Sequence, residues 1–217
     1  MDQPRIVDLA GGVDPGGDLA RRIDFLLEID RLKTVLRRSR LVDGSRFENT
    51  AEHSWHLAMA AMVLAPYAEP DVDVVRAVEI LLVHDIVEID AGDTYIYDDT
   101  GDKAEREERA AERLFNLLPA DQADHIDGLW REYEARATPT ARFAYAIDRL
   151  QPLLLNAGSN GASWQQHGIR HSQAEAVNGA IVEGSTELWE LASEILASCA
   201  DEGSLVDDRT PVDAPPA

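Results

Sequence analysis

Residues 72–89 read VDVVRAVEILLVHDIVEI, and the fold class follows from this run. Its apolar residues Ile80, Leu81, Leu82, Val83, Ile86 and Val87 point to nearly every side of a helix, the pattern of an element covered by neighbours all round. Asp73, Arg76, Glu79, His84, Asp85 and Glu88 interrupt it too often for a membrane span. It therefore reads as a buried core helix, capped by Asp73 or Asp71. Its chemistry lies in His84 and Asp85, side by side where the chain is most hydrophobic. A buried carboxylate costs several kcal/mol (order of magnitude) unless it is paired, hydrogen-bonded or coordinated, and a divalent cation would supply all of that compensation. Successive helical side chains diverge by roughly 100°, so other helices have to complete the shell.

Upstream, Asn49-Thr50-Ala51-Glu52 has the form of a capping box and opens a helix that runs to about Leu64, before Pro66. Earlier still, Leu19, Ile23, Leu26, Leu27, Val35 and Leu36 recur at helical spacing and predict an amphipathic helix from Asp18 to about Arg38, followed by a turn at Asp43-Gly44-Ser45. Downstream, a polar loop at 98–103 precedes a charged helix ended by Pro119. Another helix covers 121–136, and Thr138-Pro139 starts one that runs to about Leu155, with Pro152 near its end. Ser172-Gln173-Ala174-Glu175 reads as a second capping box, and Gly184-Ser185 separates that helix from the last. The expectation is an all-α single domain of about eight helices over residues 18–202. A flexible arm at 1–17 precedes it, and a disordered, acidic, Pro-containing tail at 203–217 follows.

The 217 residues hold 41 acidic and 20 basic side chains, a formal net charge of −21. Such a chain repels a phosphate backbone, which argues against a nucleic-acid polymer as partner. A small anionic phosphoester remains compatible, because a metal and one or two arginines reverse the potential inside a pocket. One cysteine, Cys199, forms no internal disulfide, and the first twenty residues lack the pattern of a secretion signal, so the cytoplasm is the expected compartment, with no membrane partner. Helix faces rich in Leu and Ala suit a homodimer, although no residue marks its interface.

Two further residues ask for the same compensation as His84 and Asp85. His53 stands in the first turn after the capping box, and Asp148 has Ala144, Tyr145 and Pro152 as its helical neighbours. The ordered set His53, His84-Asp85, Asp148 resembles the HD-domain superfamily of metal-dependent phosphohydrolases. The stretches Glu48-Asn49-Thr50-Ala51-Glu52-His53-Ser54 and His84-Asp85-Ile86-Val87-Glu88, with Gly92-Asp93 after them, look like the branch containing 5'-deoxynucleotidases, which remove phosphate from deoxynucleoside monophosphates. The resemblance covers about residues 20–155. It implies an HD-domain helical bundle and one divalent ion (Mn, Co, Fe, Zn or Mg) held by His53, His84, Asp85 and Asp148.

Glu88 follows His84 by four residues and Asp85 by three, which places it on their side of the helix. The resemblance implies that Glu88 and Asp93 orient a metal-activated water and handle protons at the leaving oxygen. Arg37 or Arg38 would bind substrate phosphate bidentately. Relatives in that branch carry a tryptophan just after such an arginine, where it helps exclude the ribose 2'-hydroxyl. Here Ser39 or Arg40 stands in its place. His56 is expected behind the metal residues or in solvent, His125, His167 and His171 at the surface, and Trp164 and Trp189 in packing or dimer contacts. Two other functions fit parts of the pattern: a non-catalytic nucleotide sensor or metal-stabilised module, and a di-iron oxygenase. The oxygenase needs more histidines between Asp85 and Asp148 than His125 alone.

Overall fold

The computed structural model describes residues 16–97 and 101–209. Most of the expected N-terminal arm (1–15), positions 98–100 of the polar loop, and 210–217 of the expected tail lie outside these residues. The order is α1 (Gly17–Ile29), a two-stranded ribbon β1 (Leu36–Arg40) and β2 (Phe47–Asn49), then α2 (Thr50–Val63), α3 (Val74–Val83) and α4 (Glu88–Ala91). There follow α5 (Lys103–Phe115), α6 (Ala120–Ala135), α7 (Pro139–Gly158), α8 (Ala162–His167), α9 (His171–Asn178) and α10 (Thr186–Asp201). Helix α3 is the central element. Ala77, Ile80 and Leu81 on it are fully buried, and it packs against α2, α6 and α7.

Local signals set most of the boundaries. Asn49 accepts from the Glu52 amide while the Glu52 carboxylate accepts from that of Asn49, so the capping box opens α2 as expected. Asp73, rather than Asp71, caps α3 through the Arg76 amide. Thr138 caps α7 with Pro139 in its first turn, and Ser185 caps α10. No helix among the described residues is long and apolar enough to cross a membrane.

Four expectations need correction. The helix predicted to reach Arg38 stops at Ile29, tightens into a 3₁₀ turn over Asp30–Thr34 and becomes extended at Val35. Gly44, at φ 70°, reverses the chain, and antiparallel pairing of β1 with β2 wins over the helical spacing of Val35 and Leu36. The His84-Asp85 pair lies at the end of α3, not within it: the helix closes at Val83, His84 is its C-cap, and tight turns lead into α4. The second capping box is shifted, with Gln173 accepting from the Arg170 amide so that α9 starts at His171. Ser172 instead bonds Asp208 through its amide and hydroxyl.

The fourth correction concerns the chain after 203. Residues 203–209 fold back onto the body: Leu205 is fully buried, and Val206 forms a parallel bridge with Arg170. Gly161 makes this approach possible, because at φ 70° it is left-handed and a Cβ there would lie 1.9 Å from the Ser204 carbonyl oxygen. Leu205→Ala is expected to cost about 2–4 kcal/mol of stability, measured by denaturant unfolding. A change within experimental error would mean that this segment is an appendage after all.

Candidate metal centre and substrate cavity

Three long-range pairings bring the predicted residues together. His53 Nε2 lies 2.9 Å from Asp148 Oδ1, and His84 Nε2 lies 3.2 Å from Asp85 Oδ2 and 3.8 Å from Asp148 Oδ1. Asp85 Oδ2 is 3.8 Å from His53 Nε2. Ligand atoms of His53, His84 and Asp148 all lie within 4.8 Å of one another. Atoms bound to one ion at roughly 2.1 Å are separated by roughly 3 to 3.5 Å, so the spacing suits a common cation.

The hydrogen bonds behind these atoms fix which of them face inward. His84 Nδ1 donates to the Leu81 carbonyl at 2.9 Å, which leaves Nε2 as the lone-pair nitrogen; it is buried and has no hydrogen-bond partner. His53 Nδ1 donates to Gln151 Oε1 at 3.0 Å. The Gln151 amide in turn donates to Glu48 Oε1 at 2.8 Å and lies 3.0 Å from His56 Nδ1. Asp148 turns Oδ1 to the imidazoles, while Oδ2 accepts from the Tyr133 hydroxyl at 2.7 Å and from Arg149. Neutral imidazoles held by protein acceptors at Nδ1 are in the form that binds metals. His84 also sits at the C-terminal, partially negative end of α3, which favours a cation. The donor set of two imidazoles and two carboxylates fits a divalent transition ion.

Electrostatics points the same way. Burial opposes a charge on His84, yet Asp85 and Asp148 outweigh it and lift the imidazole to about 10. Burial likewise works against ionisation of Asp85 and Asp148, but His84 beside the first and Arg149 beside the second hold both carboxyls below the usual range. The cluster thus draws positive charge to itself, as a proton on His84 or as a metal that displaces it.

The other predicted residues surround Arg37. Its Nη1 lies 3.0 Å from Asp85 Oδ2, 3.7 Å from Asp93 Oδ1 and 3.9 Å from Glu88 Oε1, and its Nε lies 3.8 Å from Glu48 Oε2. Glu88 accepts from the Thr50 hydroxyl at 2.9 Å. Burial, reinforced by Asp85, pushes Glu88 well above the ordinary carboxyl range, and burial raises Asp93 too. Gly92, at φ 75°, turns the chain so that Asp93 comes back over the cluster.

Strand geometry separates the arginines. Alternation along β1 puts Arg37 and Ser39 on its inner face. Arg38 stands exposed at the cavity mouth, its guanidinium 5.8 Å from the centre of the Tyr95 ring. Arg40 points away, over the Phe47 ring, whereas Ser39 lines a cavity of about 240 Å³ that also contains Asp85, Glu88, Asp93 and Asp148. Of the two candidates for the tryptophan position, Ser39 is the one that faces the site.

Some participants escaped the sequence reading. Gln151 lies three residues after Asp148 on the same helix, and that spacing is a usable signal. Tyr133 and Arg149 carry no comparable mark, since their roles arise only when α6 packs on α7. His56 is exposed with its Nδ1 beside the Gln151 amide that backs His53, and His125 is exposed. His171 is buried and His167 packs on Tyr95, so neither is the surface residue expected. Trp164 is buried yet also lines the cavity.

Comparison with known proteins bears on this arrangement. The 5'-deoxynucleotidase HDDC2 of Homo sapiens is 30% identical over 135 residues, 61% of this chain. The 5'-deoxynucleotidase hdd1 of Schizosaccharomyces pombe is 29% identical over 137 residues, 59% of this chain and 67% of its own length. The match spans about 65% of the human relative's length. The crystal structure of a predicted metal-dependent phosphohydrolase from Magnetospirillum magnetotacticum MS-1 superposes with a TM-score of 0.85 at 49% identity, covering 89% of this chain and 98% of that one. The HD domain family profile matches residues 29–189, and with that match over most of its length the chain belongs to the HD domain family.

Proposed function

We propose that this protein is a metal-dependent phosphohydrolase that releases phosphate from nucleoside 5'-monophosphates, with one divalent ion held by His53, His84, Asp85 and Asp148. The observation that carries the reading is the convergence of ligand atoms of His53, His84 and Asp148, with Asp85 Oδ2 within 3.8 Å of both Nε2 atoms and each imidazole held in place from behind at Nδ1. The names of the curated relatives supply the substrate class. A bound divalent ion supplies Lewis acidity, which acidifies water and polarises a phosphoryl oxygen.

The chain's own groups do the rest. Arg37, fixed beside Asp85, neutralises the incoming phosphate and orients it. Arg38, exposed at the mouth, draws the anion into an otherwise acidic molecule. Glu88 and Asp93 lie, with Asp85, around Arg37 Nη1, where they align the attacking water and pass a proton to the leaving oxygen. Tyr133 and Arg149 hold the outer oxygen of Asp148, so that the carboxylate keeps one orientation. Ser39 leaves room beside the sugar, so ribose and deoxyribose both fit. A homodimer belongs to the same reading: Trp55, Met59, Met62 and Val63 form an exposed apolar stripe along α2 that offers a face for a second copy.

The primary test is phosphate release from a panel of nucleoside monophosphates after chelation and reloading with Mn, Co, Fe, Zn or Mg. Activity should vanish with the metal and return with one or more of these ions. A protein that binds nucleotides and ion but turns nothing over would instead be a sensor. Glu88→Gln is expected to lower kcat by about 10²- to 10⁴-fold with metal content unchanged by elemental analysis, and unaltered kinetics would remove Glu88 from the mechanism. Gln151→Leu is expected to weaken metal binding by about 10- to 100-fold in calorimetric titration; wild-type affinity would show that the Nδ1 anchor of His53 is dispensable. Matched ribose and deoxyribose substrates should differ in kcat/KM by less than about tenfold, and strict selection of deoxyribose would refute the role given to Ser39.

A further inference from the structure

Arg37, to which the reading above gives the substrate phosphate, stands in the least regular part of the ribbon. Leu36 pairs with Asn49 and Arg40 with Phe47, so four residue steps of β1 run against two of β2 and the register shifts between them. Arg37, Arg38 and Ser39 fill that irregular stretch. A bulge re-aims side chains, but it also takes backbone groups out of the ladder that would otherwise hold them. At its tip Arg37 is surrounded by Glu48, Asp85, Glu88 and Asp93. An incoming phosphate has to take the place of some of these carboxylates, and the aim of the side chain then depends on its backbone.

A bond from outside the ribbon supplies that hold. The Ser163 hydroxyl donates to the Arg38 carbonyl at 2.8 Å, and Ser163 is buried. The carbonyl belongs to the planar peptide that joins Arg38 to Ser39, so fixing it fixes the chain between the two inward-facing residues Arg37 and Ser39. The donor is itself well anchored. Ser163 lies in the first turn of α8, next to Trp164, which is buried on the cavity wall. Behind that turn the Ser204 carbonyl lies against Gly161, and the Trp164 carbonyl accepts from the Ile169 amide at 2.9 Å. A helical serine commonly satisfies its hydroxyl on nearby backbone; this one reaches across 125 residues of sequence to the ribbon.

We propose that Ser163 is a positioning residue for Arg37: its hydroxyl holds the bulged peptide of β1 so that the guanidinium meets the substrate phosphate in bidentate orientation. The inference rests on the phosphohydrolase reading above. Ser163 acts through the backbone and makes no contact with the substrate. Bidentate pairing is demanding in a way that charge alone is not, because a misaimed guanidinium keeps its attraction but loses one of its two bonds.

Calorimetric binding of inorganic phosphate to the metal-loaded protein, together with kinetics on a nucleoside monophosphate, tests this. Ser163→Ala should weaken phosphate binding and raise KM by about tenfold. Its kcat should stay within about twofold of wild type, because the binding lost is common to ground and transition states. Metal content should hold at the wild-type level, which also reports correct folding. Arg37→Lys replaces the rigid fork with a flexible point charge, so in that background Ser163→Ala should change phosphate affinity by less than about twofold, the non-additivity of a coupled pair. Wild-type phosphate affinity in Ser163→Ala overturns the proposal. An equal loss in both backgrounds overturns it too, and makes the serine a packing residue. A wild type that binds phosphate but hydrolyses no phosphomonoester defeats the hydrolase reading instead, and the phosphate affinities of the four proteins then decide the role of Ser163 alone.

Discussion

Everything in this molecule that concerns chemistry depends on two imidazoles presenting the same nitrogen to the same point. A histidine ring can offer either nitrogen, and it is the hydrogen bond at the other one that chooses. Here Leu81 makes that choice for His84 and Gln151 makes it for His53. Both anchors are buried, and both come from the helices that the central packing of α2, α3 and α7 brings together. The core does more than stabilise: it brings polar atoms from α2, the end of α3 and α7 to within 4.8 Å of one another.

The acidity of the chain shapes the rest of the site. Glu48, Asp85, Glu88 and Asp93 would repel one another and any phosphate if Arg37 did not lie among them. The buried guanidinium is worth more than a surface one, because low polarity strengthens each attraction. Burial works against its charge, yet Asp85, Glu88 and Asp93 raise its pKa further, so it stays charged at any working pH. The molecule can therefore be strongly anionic outside and still receive an anion within.

The sequence made the centre legible for a definite reason. His84 and Asp85 stand in an apolar run, His53 follows a capping box, and Asp148 has apolar neighbours, so each advertises a desolvation cost that something has to offset. Glu88 and Asp93 could be placed by their spacing from those residues. What could not be read depends on pairing across distance. Leu36–Arg40 has no periodicity of its own that marks a strand; the Gly44 turn and β2 make it one, and only then does alternation turn Ser39 inward and Arg40 out. The end of α3 at Val83 was hidden because apolar residues continue to Ile89. Leu205 was lost in a polar, glycine-bearing context that resembles a free tail, although the close approach of its neighbour Ser204 to Gly161 is steric and specific.

The Ser163 hydroxyl donates to the Arg38 carbonyl at 2.8 Å across a sequence separation of 125 residues. This bond ties the ribbon that carries Arg37 to the α8 wall that carries Trp164. Closing so long a loop is entropically expensive and tends to come late. On the ribosome, His53, His84, Asp85 and Asp148 have all been translated before α8 exists. A nascent chain can thus bring these four residues together while the cavity beside them is still open on one side, and that wall is completed only when the C-terminal quarter docks.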